Sequence, residues 1–367
     1  MAVVAAAVAA AAVAFLHGGN LVLVDTGTHS QRVVLRHAGI GPVRWSGDGK
    51  LVSSGGKIAG GPALPTAQLT WAPRGETAAY LTRAGALFVW SPSRGKRRLL
   101  PASWGAQAVA WSRDGRLAIG RSVCHRPCGI PAHREVWVWR RGSLRRIVDH
   151  AGGTPMPARW DGRGRVIWWL WPGSGSIAAD GVAVYAGTRR VGAMLMYRDY
   201  LTACGRGLAF ASGSDRNSMH GKSIVYDGRD ISRDRSRSWT SPSCNANGTR
   251  LVAAAGKENT QGPWSHEHRA VWQLLPARRQ LTRPPAGWTD EAPLVLHDGS
   301  VLFVRTRQTA RKVDGRWYET DRGRLELWRH GVLTRVADLT YTSNELSGAS
   351  LQYYGHYDWE QRLAVRP

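Results

Sequence analysis

Three stretches of the chain place histidine beside other side chains that could bind a ligand or move a proton. In Trp264-Ser265-His266-Glu267-His268 the two imidazoles stand at i and i+2. That spacing puts both on one face of an extended segment, a geometry open to a shared ligand. Asp215-Arg216-Asn217-Ser218-Met219-His220 offers a carboxylate, a guanidinium, an amide and an imidazole within six residues. His133 is a third case. Each stretch precedes an apolar run: Ala270–Leu274, Ser223–Tyr226 and Val136–Trp139 respectively. The stretches therefore read as inter-strand loops at equivalent places, and such loops gather on one rim, where ligands dock. The expected binding surface comprises His133, Asp215, Arg216, Asn217, His220, Trp264, His266 and His268. The alternative is a set of ordinary solvated hairpin loops.

Cysteine supplies the next candidates. Cys124-His125-Arg126-Pro127-Cys128, with His133 nearby, has the residue types of a zinc site. Two cysteines in one short loop favour a local disulfide instead, so no metal is expected. Cys204 and Cys244 occupy equivalent positions of neighbouring repeats, and a second disulfide between them is expected. Trp288-Thr289-Asp290-Glu291 pairs two acids, but adjacent residues of a strand point to opposite faces and cannot act on one substrate. Tyr353-Tyr354-Gly355-His356-Tyr357 reads as ring-closing core rather than a sugar platform. Gly173-Ser174-Gly175-Ser176 is a flexible turn, and the chain contains no Gly-x-Ser-x-Gly nucleophile elbow. No catalytic residue and no cofactor is expected.

A repeat positions these residues. Val43-Arg44-Trp45-Ser46-Gly47-Asp48-Gly49-Lys50-Leu51-Val52 is an apolar run ending in Trp, a tight turn with Gly at a φ > 0 position, and a second apolar run. The pattern returns at Trp71, Trp111 and Trp160, and more weakly at Cys204, Cys244 and Val295. Most intervals lie between about 40 and 50 residues with about four strands each, the signature of propeller blades. The unit after Trp45 is too short for four strands. The fold class is therefore all-β: one propeller of four-stranded blades, eight by motif count or seven if the short unit is absorbed. The N- and C-terminal strands close the ring.

The Trp-Ser-x-Asp-Gly turn followed by a Leu-Ala-Ile-type strand, best at Trp45–Val52 and Trp111–Ile119, resembles the TolB-like or WD40-like propellers. The resemblance spans residues 20–367. It implies a fold used as a binding platform, sometimes fused to a peptidase.

The bulk properties bound the function. The 367 residues carry a net charge of +24, from 44 Arg and only 6 Lys, alongside 18 Trp. Arginine spread over every repeat is read either as a surface for anionic partners or as a solvated, composition-driven shell. Residues 1–16 are nearly all Ala and Val, which suggests a signal-like or tethering segment ahead of a propeller over 17–367; the alternative is a buried first strand, since Val13 to Asp25 also reads as strand, turn and strand. On this reading Val13–Leu16 lie outside the ring, because Leu363–Val365 takes the one open strand position. Together with two disulfides this points to an exported, monomeric, non-catalytic propeller that binds a protein or an anionic envelope polymer. The alternatives are a hydrolase or lyase acting on an anionic glycan, and a nucleic-acid-binding basic surface.

Overall fold

The computed structural model describes the chain outside residues 1–11, 39–40, 67–68, 124–132, 152–155, 171–181, 195–199, 213–221, 235, 258–268, 308–309, 314–315, 320–321, 341–358 and 360–361. Seven four-stranded antiparallel sheets and one three-stranded sheet form eight blades. The three-stranded blade is Val43–Trp45, Val52–Ser54 and Lys57–Ile58, the unit whose length leaves no room for a fourth strand. A 3-10 turn, Ala102–Trp104, leads into the fourth blade.

Strand position within a blade dictates composition. Second strands are flanked by strands on both edges and by a neighbouring blade on each face, so they read as unbroken apolar runs. Val166–Leu170 and Leu251–Gly256 are buried throughout. Outermost strands meet water and carry the basic residues: Lys96, Arg97 and Arg98 on Gly95–Leu100, and Arg189 and Arg190 on Arg189–Met194, are exposed. The arginines are thus distributed around the circumference.

Apolar clusters join every pair of neighbouring blades, including the last to the first, where Leu302 and Val304 pack with Val13 and Phe15. This closes the ring. The first blade corrects the expectation that only one terminal segment fits. Ala12–His17 pairs with Asn20–Asp25 on one edge and with Leu363–Val365 on the other, in the register Val13↔Val365 and Phe15↔Leu363. Val13 and Ala14 are fully buried. Residues 12–16, expected outside the ring, contribute a core strand because the innermost place was still open to the C-terminal segment.

Candidate functional site

The eight innermost strands end at Trp45, Trp71, Trp111, Trp160, Cys204, Cys244, Val295 and Val365. The first seven are the repeat positions read from the sequence, and they do two things in the fold. Trp111 Nε1 donates to the Thr70 carbonyl (3.2 Å), Trp160 Nε1 to that of Ala110 (2.9 Å) and Trp45 Nε1 to that of Ala364 (3.1 Å). Each acceptor lies just before the equivalent position of the preceding blade. The indole therefore packs between sheets and also ties one inner strand to the next. At the short blade Trp71 Nε1 reaches Ser53 Oγ instead (3.1 Å), and that hydroxyl faces the Arg44 carbonyl at 3.4 Å.

Where the repeat has cysteine, the tie is covalent. Cys204 and Cys244 form a disulfide with Cα atoms 5.2 Å apart, as their equivalence predicts. One blade further, Val295 N donates to Ser243 Oγ (3.1 Å). Below these ties the inter-strand turns are locked by their own acids. Ser112 Oγ donates to Asp114 Oδ1 (2.6 Å), and Gly115 takes a φ of 79°. Burial pushes the Asp114 carboxyl up, but hydrogen bonds from Ser112 and Arg116 and the Arg116 charge outweigh it, leaving the pKa below the usual value. These turn aspartates are structural.

Inside this girdle lies an axial cavity of about 620 Å³, walled by all eight innermost strands. Its wall contains the residue immediately preceding each repeat position: Arg44, Thr70, Ala110, Arg159, Ala203, Ser243, Leu294 and Ala364. Six are neutral, and two are arginine. Arg44 and Arg159 are the charged groups among the described wall residues. The cavity-facing strand edges are interrupted by bulges at Ala106/Ala108, Pro157/Arg159, Thr240/Ser243 and Glu291/Leu294. Two bulges repeat one device: Ser241 (φ 49°) precedes Pro242, and Ala292 (φ 46°) precedes Pro293. Proline and a bulge together block strand addition along an edge.

Asp215, Arg216, Asn217, His220, Trp264, His266 and His268, and both Cys124 and Cys128, lie outside the described residues. They belong to connections between second and third strands, whose flanking strand ends are on the face opposite the Asp-Gly turns. His133 begins a third strand, opposite Val123 and Ala151. The acid pair is absorbed into the frame. Asp290 takes a two-point contact from Arg305 (2.6 and 2.9 Å), while Glu291 meets Arg269 (3.2 Å), so the two do point apart. The reading of the sequence missed Arg44 and Arg159. Their signal was present, since each sits just before the Trp of its repeat, but which register position faces the axis follows only from the closed ring.

No family profile and no curated protein sequence matches the chain. Solved structures do. An uncomplexed acylaminoacyl peptidase of Pyrococcus horikoshii is 10% identical with a TM-score of 0.47, covering 90% of this chain and 53% of its own. The β-propeller domain of the Trilobed protease from Pyrococcus furiosus is 10% identical with a TM-score of 0.45, covering 91% and 100%. A putative TolB from Agrobacterium tumefaciens is 11% identical with a TM-score of 0.36, covering 90% of each chain. The chain spans about half the length of the acylaminoacyl peptidases it matches. Likeness at this level shows the fold alone. The expectation of an exported, non-catalytic platform for a protein or envelope polymer, with its glycan-cleaving and nucleic-acid alternatives, is corrected by the peptidases among these neighbours. Propellers of this shape also stand as parts of peptidases, a context that the repeat, being a scaffold pattern, does not encode. The sheets make the chain an eight-bladed β-propeller, with TolB-like and peptidase-borne propellers among its structural neighbours.

Proposed function

We propose that the chain is the substrate-admitting propeller of a peptide-processing system and takes extended peptide into its axial cavity. The observation that carries this reading is the cavity itself. A space of about 620 Å³ suits a short stretch of extended chain and excludes a folded domain. The interrupted inner edges support passage over permanent capture, because a threading peptide cannot add as a fifth strand of a blade where bulge and proline break the ladder. Peptide-bond cleavage is assigned to a peptidase acting with the propeller. The Cys204–Cys244 disulfide supports an oxidising, exported setting.

The test is fluorescence anisotropy with a dye-labelled, unstructured decapeptide and with a folded domain carrying the same dye. The decapeptide should bind and the folded domain should not. Thr70→Trp, which fills the cavity from its wall, should weaken peptide binding at least tenfold while the melting temperature holds. Unchanged binding by that variant, or no decapeptide binding by the parent protein, refutes the reading.

A further inference from the structure

Each innermost strand passes from the cavity wall into its turn within a few residues, so the turns encircle one mouth of the cavity. They also abut one another. Gly47 N donates to the Gly75 carbonyl (3.0 Å), Arg116 Nη2 to that of Gly164 (3.2 Å) and Arg250 Nη1 to that of Gly299. Between the Gly162 and Gly205 turns the fit is so close that a Cβ on Gly162 would stand 1.8 Å from the Gly205 oxygen. Charge on this collar is lopsided. Counted from the N-terminus, the third, fourth and sixth blades carry Arg74, Arg113 and Arg206 on their turns, all exposed. Among the described residues these three side chains have no ion pair, hydrogen bond or ring contact. The carboxylates of the neighbouring turns are held by other cations: Asp114 by Arg116 (2.8 Å), Asp161 by Arg165 (2.7 Å), Asp227 by Arg163 (2.9 Å) and Glu76 by Lys50 (3.7 Å). Across the mouth, the turns of the seventh and eighth blades hold Ala246, Asn247, His297 and Asp298, and Asp298 pairs with Arg329 (2.7 Å). Uncompensated guanidiniums beside a cavity with low-dielectric walls focus a positive potential at that side of its mouth.

We infer that Arg74, Arg113 and Arg206 form an arc that steers acidic peptides into the axial cavity. The ligand class is an extended peptide carrying net negative charge. The arc acts on the rate of capture. An exposed guanidinium in water holds a carboxylate only weakly, but the summed field of several reaches roughly 10 Å at moderate ionic strength and further at low salt. Selection therefore falls on the approach, before the peptide meets the wall. The inference rests on the peptide reading above and names the peptides that reach that cavity fastest.

The experiment is stopped-flow fluorescence anisotropy with three dye-labelled decapeptides of one neutral parent sequence, carrying two Glu, no charge or two Lys. With the intact protein at low salt, the acidic peptide should associate roughly tenfold or more faster than the neutral one, and the basic peptide slowest. High salt should collapse these differences. Arg74→Gln, Arg113→Gln and Arg206→Gln combined should bring the acidic peptide's association rate down to the neutral peptide's and leave its dissociation rate unchanged. Arg97→Gln, Arg98→Gln and Arg190→Gln combined remove the same charge from outermost strands and should keep most of the acidic advantage. All six residues are exposed, where substitution changes stability little, and the comparison among peptides needs no variant. Equal association rates for the three peptides, or equal losses from the two triple variants, overturn this inference alone. Binding of none removes the peptide reading and this inference with it.

Discussion

Replacing Trp160 by Phe tests whether the indole ties carry stability. Trp160 is 7% exposed, donates to the Ala110 carbonyl at 2.9 Å and lies under the Arg116 guanidinium. Phenylalanine keeps an aromatic ring for Arg116 but deletes the donor. A buried carbonyl losing its partner costs about 1–3 kcal/mol. The smaller ring gives up roughly 30–40 Å² of apolar burial, about 1 kcal/mol. The expected loss is therefore about 2–4 kcal/mol. Unfolding entropy for 367 residues is roughly 0.8 kcal/mol per kelvin, so the melting temperature should fall by about 3–5 °C. The assay is differential scanning calorimetry of Trp160→Phe beside Trp139→Phe, a half-buried indole on a third strand. Equal shifts from the two would refute the idea that the inter-blade hydrogen bond, rather than aromatic bulk, does the tying.

Removing the disulfide with Cys204→Ala and Cys244→Ala together should cost about 4 kcal/mol from its 40-residue loop, about 5 °C by calorimetry. Burial holds the Glu326 carboxyl above the usual range despite the nearby Arg305 and Arg324 charges. Its ionisation is thus penalised in the fold, a cost absent below the unfolded pKa near 4 that grows until pH passes the folded pKa. Glu326→Gln should accordingly raise the melting temperature at pH 7 and leave it unchanged at pH 4. Deleting Leu363–Pro367 should bare the Ala12–His17 edge and take the Ala364 acceptor from Trp45, with aggregation seen by light scattering. Deleting residues 1–17 should be as damaging, because Val13 and Ala14 are core.

The frame was legible because its signals are local. Trp45, Trp111 and Trp160 each stand directly before a tight turn, and the turn chemistry is complete within five residues. The Cys204–Cys244 bond could be read from equivalence alone, since repetition turns sequence spacing into spatial adjacency. The terminal blade was half legible. Leu363–Val365 and Val13–Leu16 both look like strands, but only the order of the assembled sheet shows that they pair with each other rather than compete. The cavity was not legible at all. Arg44 resembles any other arginine of this arginine-rich chain until the ring sets its register facing the axis, and Arg159 is hidden in the same way. Histidine, by contrast, has a chemistry that is conspicuous in any context.

The pairing of Val13 with Val365 carries a kinetic consequence. These partners are separated by almost the whole chain, so the contact that shuts the ring is the most non-local one the fold makes. Closing so long a loop costs roughly 5 kcal/mol of chain entropy, which no local hairpin repays in advance. Blades built from consecutive hairpins can form as they emerge, whereas the first must wait with an unfilled edge until the last residues arrive. Ring closure is thus the slow step of folding, and a circular permutant that joins residue 367 to residue 12 and opens at the Gly115 turn should relocate that wait to another blade.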